Sequence, residues 1–252
     1  MKIGKRSLGD FGRRLLDPSN YKAIPRFLKV HHRPFRVVLE EIFSLGRYPR
    51  TLTIKTPTGP ADVELFSAAD LSTLNLIFCR QDYYVPENAR VVVDVGSNIG
   101  LSALYWLTRN DQSFVYCYEP APISYDRLTA NLRKFPHRFE ARREAVSNFN
   151  GSAQLGLEPS GVYSSLDLSS TQSVDCRVVH INDVLRPVIE RHGQVDVLKL
   201  DSEGHELRTL GAIAPDYWKH IRCVNVDCTG ASRFVPGEFH RDHVASAERF
   251  WR

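Results

Sequence analysis

Four side chains able to hold or move a proton lie close together where a predicted strand ends. Residues 195–200 predict a buried strand that nonetheless carries Lys199, and Asp201 comes directly after it. Because side chains alternate along a strand, Lys199 and Asp201 project to the same face. Glu203 and His205 add an acid and an imidazole at the carboxyl end of the strand, the edge of an open α/β sheet where ligands bind. We therefore predict a catalytic site at this edge.

The same residues also fit the start of a helix. Asp201 or Ser202 would then be the N-cap residue. Glu203 or Glu206 would complete a capping box. This alternative explains the acids, but it does not explain a lysine inside a central strand, because lysine is rarely buried without a partner. We favour a functional site for this reason.

A second stretch, VVVDVGSNIG at residues 91–100, predicts a strand followed by a tight turn. The strand is valine except at Asp94, as in a parallel strand that is buried on both faces. The turn residues are Gly96, Ser97, Asn98, Ile99 and Gly100. Two glycines so close together indicate that the backbone bends sharply and passes near another group. With the N-terminus of the helix that follows, they are typical of a nucleotide-like ligand site.

The glycine spacing differs from the dinucleotide fingerprint. It is G-x-N-x-G rather than G-x-G-x-x-G, and the acid Asp94 stands near the strand end, where it would repel a pyrophosphate. A buried carboxylate is costly unless it faces a cation or receives hydrogen bonds. A ligand with both an ammonium and a carboxylate would suit Asp94 and the helix N-terminus together. The amino-acid end of S-adenosylmethionine carries this pair of groups.

Two further positions fit the same ligand. Glu119 ends the next predicted strand, in FVYCYEP, where an acid can accept hydrogen bonds from both ribose hydroxyls. NAD enzymes also place an acid there, and an acid at this position can instead cap the helix that starts at Pro122. The third strand ends in EAVSNFNG, where Ala145 would form a small, flat wall beside an adenine.

Four motifs together resemble one enzyme family. DVGSNIG, YEP, EAVSNFNG and LKLDSEGHELRTLGA, in this order and spacing, are similar to the FkbM family of S-adenosylmethionine-dependent methyltransferases. The resemblance covers residues 91–227, and its most specific part is K-x-D-x-E-G-x-E followed by L-x-G. It implies an α/β fold, the class I methyltransferase Rossmann-like doubly wound sheet of about seven strands. It also implies O-methylation of a hydroxyl on a sugar, in a polysaccharide or glycolipid, or on a polyketide-type natural product.

The resemblance also assigns residues to the two halves of the site. For the methionine end of the cofactor it implies Asp94, Gly96, Asn98 and Gly100. For the ribose it implies Glu119. Beside the acceptor it implies Lys199, Asp201, Glu203 and Glu206. One position departs from the family, because many members have a glutamate after the next strand and this chain has Asp227, in CVNVDCTG.

Methyl transfer to a hydroxyl requires that the oxygen is aligned with the methyl group and that its proton is removed. Asp201 is the first candidate for the base or for a metal ligand, Glu203 is the second and His205 is the third. Lys199 would pair with Asp201 or stabilise the developing alkoxide. The sequence is also compatible with a divalent ion such as Mg²⁺, held by Asp201 and a second carboxylate.

Strand and helix patterns alternate from residue 91 onward, which predicts a parallel sheet with helices on both faces. We predict strands at 91–95, 114–118, 139–146, 195–200 and 223–227, and helices at 101–108, 122–135, 182–191 and 203–213. Residues 51–66 predict a hairpin. Between residues 150 and 181, two β-like runs around a polar loop predict an added antiparallel segment near the sheet edge.

These patterns divide the chain into three parts. Residues 1–50 form a basic N-terminal arm, an extension that we expect to be helical and packed on the core. Residues 51–230 form the methyltransferase domain, with its core at 89–228. Residues 231–252 form a C-terminal tail, in which His240 and His243 predict the start of a solvated amphipathic helix.

Positive charge is concentrated in the arm. Residues 1–50 hold twelve Lys or Arg against four Asp or Glu, and the rest of the chain holds 21 against 25. Such an arm can attract an anionic membrane surface, a phosphate-bearing substrate or nucleic acid, or it can be a solvated extension. Its aromatic residues do not alternate with the basic ones in the manner of a stacking platform for bases, so a nucleic-acid partner is not expected.

Other features concern the cellular setting. No run of 18 apolar residues occurs, so no transmembrane segment is expected, and the first twenty residues lack the apolar core of a signal peptide. Five cysteines without a CxxC pair predict reduced, mostly buried thiols. We expect a cytoplasmic enzyme that acts on a small molecule, a glycan or a glycolipid.

The sequence leaves two alternative functions. An NAD(P)-dependent oxidoreductase would share the fold, but the glycine spacing and Asp94 argue against it. A nucleic-acid methyltransferase or binding module would use the basic arm, but the chain has no N/D-P-P-Y/F tetrad of the kind found in base N-methylation.

Overall fold

The computed structural model describes residues 2–3, 6–7, 18–43, 46–86, 88–157, 164–165, 172–202, 204–245 and 247–252. Two sequence-based predictions lie outside the described residues, namely Glu203 and most of the polar loop between the two β-like runs. The chain forms two compact units, residues 1–82 and 83–252.

The first unit contains helices and a β-hairpin. Its elements are β1 Lys2–Ile3, β2 Arg6–Ser7, α1 Pro18–Val30, α2 Pro34–Phe43, β3 Arg50–Thr56, β4 Gly59–Leu65, α3 Ala68–Asn75 and a π-helix, Leu76–Arg80. The hairpin confirms the prediction for residues 51–66, because β3 and β4 pair antiparallel and bury alternate residues such as Ile54 and Val63. The unit ends at Asp82. The hairpin therefore groups with the arm, whereas the sequence predicted that it begins the methyltransferase domain.

The second unit alternates strands and helices. Its elements are β5 Val91–Val95, α4 Leu101–Leu107, β6 Phe114–Tyr118, α5 Pro122–Leu132, β7 Phe139–Arg142, β8 Glu144–Ser147, β9 Gly151–Leu157, β10 Ser164–Ser165, β11 Gln172–His180, α6 Ile181–His192, β12 Val197–Leu200, α7 Glu206–Gly211, α8 Pro215–Trp218, β13 Cys223–Val226, a 3₁₀ helix Ala231–Arg233, β14 His240–Val244 and β15 Ala247–Trp251.

Seven of these strands form the central sheet, in the order β14-β15-β13-β12-β5-β6-β7. The five strands from β13 to β7 are parallel, and β15 is antiparallel to both of its neighbours. This confirms the predicted doubly wound α/β sheet of about seven strands. The chain moves outward in opposite directions from β5 and β12, so their carboxyl ends flank the crevice where ligands bind in such sheets.

Apolar strands explain why this sheet is central. Val93, Leu198 and Val224 lie on three adjacent strands and are fully buried. Helix α6 packs against the same core through an apolar stripe that includes Ile181 and Leu185. β-branched and leucine-rich strands covered on both faces are typical of parallel sheets. This core fixes the strand ends that carry the site.

A four-stranded sheet, in the order β10-β9-β11-β8, lies beside the central one. Its antiparallel strands β9 and β11 confirm the added segment that the sequence predicted between residues 150 and 181. The single strand predicted at 139–146 was wrong in one respect. It breaks at Arg143, since β7 joins the central sheet whereas β8 pairs in parallel with β11.

The prediction of an amphipathic helix in the C-terminal tail was wrong. His240 and His243 lie in β14, which pairs with β15 and completes the central sheet. Strand β15 buries Ala247 and Phe250, whereas β14 is an edge strand and exposes nearly all of its residues. An edge strand without inward-facing apolar residues has no period-2 pattern, and for that reason its polar residues resembled a solvated helix.

The thiols have the predicted character. All five cysteines are free, four of them are buried and Cys228 is partly buried. Among the described residues, no helix combines the length and the apolar character needed to cross a membrane.

Candidate active site

Buried polar residues form a row across the central strands. In the register of the sheet, Lys199 on β12 pairs with Asp94 on β5 and with Asn225 on β13. All three residues are at most 1% exposed. Residues paired in register on parallel strands project to the same face of a sheet, so these side chains lie next to one another. The row ends where the strands end, at the crevice described above.

The ammonium group of Lys199 joins this row to Asp201. Its Nζ lies 3.1 Å from Asp94 Oδ1 and 3.3 Å from Asp201 Oδ2. It also donates to the carbonyl oxygen of Gly96, at 2.8 Å. Burial lowers the pKa of Lys199, but the Asp94 and Asp201 carboxylates raise it by more, so the net pKa is above its ordinary value. The prediction that Lys199 and Asp201 share a face is confirmed. The Lys199 ammonium forms ion pairs with the carboxylates of both Asp94 and Asp201.

Asp94 receives its counter-charge from within the chain. Its side chain is 0% exposed. The Ser102 hydroxyl donates to its Oδ2 at 2.6 Å, while Lys199 contacts its other oxygen. Paired and hydrogen-bonded in this way, a carboxylate can be buried at acceptable cost. The geometry therefore supports a structural task for Asp94 in positioning Lys199, rather than direct contact with the ammonium group of a ligand.

Tyr83 and Asn225 belong to the network, and sequence reasoning missed both. The Tyr83 hydroxyl donates to Asp201 Oδ2 at 3.2 Å. Burial and the nearby Asp201 carboxylate raise the pKa of Tyr83 well above its ordinary value, so it remains a donor. Asn225 holds the neighbouring backbone, because it accepts from the N–H of Tyr84 at 2.8 Å and donates to its carbonyl at 2.9 Å. An amide inside the apolar run CVNV was the available signal for this clamp.

The glycine turn brings two strand ends into contact. Gly96 has a φ of +76°, and a Cβ atom at this position would lie 1.7 Å from the carbonyl oxygen of Asp201. Gly96 is therefore required by the backbone after β12, which passes directly over the turn. Asn98 and Gly100 also have positive φ values, of 47° and 88°. Ser97 donates from its hydroxyl to the Asp94 carbonyl at 2.8 Å, which fixes the first bend of the turn.

Glu119 lies beside the same turn. Its Oε2 accepts from the N–H of Asn98 at 2.8 Å, and its Oε1 accepts from the N–H of Ala121 at 2.9 Å. Burial raises the pKa of Glu119 to about 7, although these two hydrogen bonds act in the opposite direction. The carboxylate thus connects the turn after β5 to the segment after β6, which is the position predicted for a ribose-binding acid.

The structure places the other predicted site residues in packing or loop roles. His205 is 4% exposed and contacts the Ser147 hydroxyl through Nδ1 at 3.3 Å. Glu206 accepts from the N–H groups of Ser202 and Gly204, at 2.7 Å for Ser202, and so fixes the loop after β12. Ala145 is buried in a cluster of small and apolar residues. Glu203 lies outside the described residues.

Metal ligation finds no support in the part of the chain that is described. Within it, no three His, Cys, Asp or Glu side chains are grouped so as to hold an ion. Lys199 Nζ contacts both Asp94 and Asp201, at 3.1 and 3.3 Å. An ammonium group thus occupies the place between these two carboxylates.

The chain matches known methyltransferases in sequence. A family model described as the methyltransferase FkbM domain matches residues 94–245. Methyltransferase sdnD of Sordaria araneosa is 27% identical over 201 residues, which span 63% of this chain and 73% of that protein. Hexuronic acid methyltransferase AglP of Haloferax volcanii is 30% identical over 127 residues, 49% of this chain and 50% of its own length. The 31-O-demethyl-FK506 methyltransferase FkbM of Streptomyces tacrolimicus is 27% identical over 169 residues, 53% of this chain and 63% of its own.

The chain is also similar to solved structures at low level. An O-methyltransferase family protein from Burkholderia thailandensis superposes with a TM-score of 0.37 and 10% sequence identity, over 73% of this chain and 58% of that one. Because the family model matches more than half of the residues, including the glycine turn, Glu119 and the Lys199–Asp201 pair, this chain belongs to the FkbM family of methyltransferases.

Proposed function

We propose that this chain transfers a methyl group from S-adenosylmethionine to a hydroxyl group. The acceptor is a sugar of a polysaccharide or glycolipid, or a polyketide-type natural product. Membership of the FkbM family supports methyl transfer. The names of two relatives, a hexuronic acid methyltransferase and a 31-O-demethyl-FK506 methyltransferase, support acceptors of these classes.

One observation carries the choice of a hydroxyl, namely the environment of Asp201. Its side chain is 26% exposed, whereas those of Asp94 and Lys199 are 0% and 2% exposed. Asp201 is thus the member of this ion-pair network that an acceptor can reach. A hydroxyl is a poor nucleophile until its proton is removed, so a positioned carboxylate is the group that this reaction requires.

Asp201 is held for this task through one oxygen. Lys199 and Tyr83 both contact Oδ2, at 3.3 and 3.2 Å. Among the described residues, Oδ1 is therefore the oxygen available to accept the proton of a substrate hydroxyl. Lys199 and Tyr83 are positioning residues, because they are buried and act on the acceptor through Asp201.

Glu119 and the glycine turn fit the cofactor. A carboxylate has about four lone-pair sites, and the N–H groups of Asn98 and Ala121 use two of those on Glu119. The remaining two are suited to a pair of ribose hydroxyls. When bound, S-adenosylmethionine would supply an already activated methyl group on its sulfonium. The turn from Gly96 to Gly100 adjoins Glu119 and would lie under the methionine end.

His205 and a metal ion are weaker alternatives for the base. His205 is 4% exposed and its Nδ1 contacts the Ser147 hydroxyl, so it is less accessible to an acceptor than Asp201. Asp201 and Asp94 both form ion pairs with the Lys199 ammonium, which already neutralises part of their charge. We expect methyl transfer that is insensitive to EDTA and is not increased by Mg²⁺.

The test is a transfer assay with S-adenosylmethionine labelled in its methyl group and a panel of hexuronic acid, glycolipid and polyketide acceptors. We expect alkali-stable label in at least one acceptor, as an ether requires. We expect no turnover in NAD(P)-dependent oxidoreductase assays. Binding of S-adenosylhomocysteine, compared with NAD and NADP by calorimetry, separates the dehydrogenase alternative. Tight NAD binding without S-adenosylhomocysteine binding would overturn the proposal. Transfer to RNA alone would replace the acceptor class.

A further inference from the structure

The outward side of helices α1 and α2, in the first unit, is apolar. Helix α2 buries Val37, and at 100° per residue Phe35 and Leu39 stand about 160° away from it. Phe35 is 80% exposed and Leu39 is 52% exposed. Helix α1 adds Ile24 and Leu28, one turn apart and 52% and 48% exposed. The apolar face is defined as Ile24, Leu28, Phe35, Val38 and Leu39.

Amphipathic helices of globular proteins normally place polar residues on the side that faces water. Single exposed apolar residues are common and carry no meaning. Here they recur at helical spacing on two consecutive helices, and Phe35 and Leu39 lie opposite the residue that packs into the unit. Such a face is typical of an interaction surface.

Most of the charged residues next to the apolar face are basic. On the same helices and the turn between them, the exposed basic residues are Arg26, Lys29, Arg33 and Arg36. Helix α2 also carries two acids, Glu40 and Glu41, and Glu40 contacts both Arg36 and Arg50. Apolar side chains with cationic neighbours match an anionic bilayer, whose headgroups attract the cations and whose acyl region receives the apolar groups.

We propose that α1 and α2 form a peripheral docking surface for an anionic lipid bilayer, with Phe35 and Leu39 inserted below the headgroups. The surface is built from the first unit alone, and it does not depend on the proposed reaction. A lipid-linked acceptor, one of the classes named above, would be met at such a surface.

Charge argues against two other occupants of the apolar face. A second copy would bring two basic surfaces together, and these repel one another. Residues 1–17 hold five Lys or Arg against two Asp, so this segment of the chain would also be repelled by the basic residues. An anionic bilayer is the occupant that complements both the charge and the apolar character.

Vesicle sedimentation with the full chain tests the proposal. We expect binding to phosphatidylcholine vesicles that contain phosphatidylglycerol, and at least about tenfold weaker binding to phosphatidylcholine alone. Phe35→Ser/Leu39→Ser should weaken the binding at least about tenfold, because both side chains lose a buried position in the bilayer. Arg33→Glu/Arg36→Glu should weaken it by on the order of fivefold or more for each residue, and high salt should do the same.

Matched variants control for loss of hydrophobicity or charge in general. Ile123→Ser removes an apolar side chain that is 55% exposed in the second unit. Arg133→Glu/Lys219→Glu reverses two exposed charges outside the first unit. Both should bind vesicles like the wild type, and circular dichroism should show that every variant is folded.

Three results would overturn the docking surface. They are vesicle binding that Phe35→Ser/Leu39→Ser leaves unchanged, equal binding to neutral and anionic vesicles, and no vesicle binding at all at low salt. Light scattering tests whether a second copy of the chain covers the apolar face. A dimer that Phe35→Ser/Leu39→Ser converts to monomer would assign the apolar face to a second copy.

Discussion

Within a central strand, Lys199 places its ammonium between the carboxylates of Asp94 and Asp201 and against the carbonyl oxygen of Gly96. These contacts connect the ends of β5 and β12, from which the two halves of the site extend. A buried cation with two carboxylates is stable only while all partners are present. Lys199 is therefore as important for folding as for the position of Asp201.

Replacement of Lys199 tests this dual role. We expect Lys199→Met to lower the free energy of unfolding by about 3–5 kcal/mol, because it leaves the buried Asp94 carboxylate without its cation. Chemical denaturation measures this value. The exposed residue Lys55 provides the control, since Lys55→Met should change the free energy by less than about 0.5 kcal/mol.

If Lys199→Met does not fold well enough to measure, Lys199→Met/Asp94→Asn keeps the prediction testable. The second change removes the uncompensated charge, and we expect it to restore part of the lost stability. A loss below about 1 kcal/mol in Lys199→Met alone would show that the ion pairs are of little importance.

Glu119 predicts a pH dependence of cofactor binding. Its pKa is raised to about 7 by burial, so at lower pH the ligand-free protein carries a proton on this group. Ribose hydroxyls donate to the ionised carboxylate, so a bound ligand favours the unprotonated form. We therefore expect the affinity for S-adenosylhomocysteine to rise as pH increases through about 7 and then to level off.

Calorimetric titrations between pH 6 and pH 8.5 measure this dependence. Glu119→Gln should bind more weakly and lose the dependence near pH 7, because an amide does not titrate. An affinity of the wild type that is constant across this range would place the ribose contact on another residue.

At the scale of elements, the site exists because two connections pass very close to one another. The backbone after β12 crosses the turn after β5 at Gly96, where there is no room for a side chain. The segment before β5 is held by Asn225, on the neighbouring strand β13. Three strand ends and one preceding loop thus fix the position of Asp201.

Gly96→Ala tests the crossing. The new Cβ would lie 1.7 Å from the Asp201 carbonyl oxygen, so the backbone must move. Gly193 is the matched control, because its φ of +78° is nearly the same and a Cβ there meets nothing within 4 Å. We expect Gly193→Ala to cost about 1–2 kcal/mol of unfolding free energy, from its backbone conformation alone, and Gly96→Ala clearly more. Equal losses in the two variants would contradict the close crossing.

Asn225→Ala tests the clamp on the loop before β5. It removes the acceptor of the Tyr84 N–H and leaves the Tyr84 carbonyl with the Cys223 thiol as a weak donor, which should cost about 1–3 kcal/mol of stability. Because Tyr83 then no longer fixes Asp201, we expect turnover to fall while the affinity for S-adenosylhomocysteine changes little. The exposed amide Gln112 is the control, and Gln112→Ala should leave both values unchanged. A turnover equal to that of the wild type would show that the clamp does not matter for the reaction.

Over the whole molecule, local patterns were enough to predict most of the parallel sheet. Valine-rich runs such as residues 91–95 indicated buried strands, and the turn after this run had a distinctive glycine spacing. The contact between Tyr83 and Asp201 joins residues 118 positions apart, and no local pattern predicts it. The break at Arg143 likewise depends on which sheet each half of the run joins, which is a property of tertiary structure.

The edge of the sheet shows the same limit. Strands β14 and β15 pair with each other and with β13, so the tail is part of the central sheet and not an appendage. Their cross-strand pair Asp242–Arg249 lies on the exposed side, where its polar character was visible in the sequence but its pairing was not. The periodicity of burial is visible in a short stretch of sequence, whereas the strand with which an edge strand pairs is not.

In the proposed reaction, Asp201 removes the proton of the acceptor hydroxyl. The most direct measurement is the turnover of Asp201→Asn together with its affinity for S-adenosylhomocysteine. Asparagine keeps the size and the hydrogen bond from Tyr83 but is a very poor base, so we expect a loss of turnover of at least about 10²-fold with nearly unchanged affinity. Asp216→Asn, at an exposed position on α8, should behave like the wild type. Near-normal turnover in a folded Asp201→Asn protein would show that Asp201 is not the base.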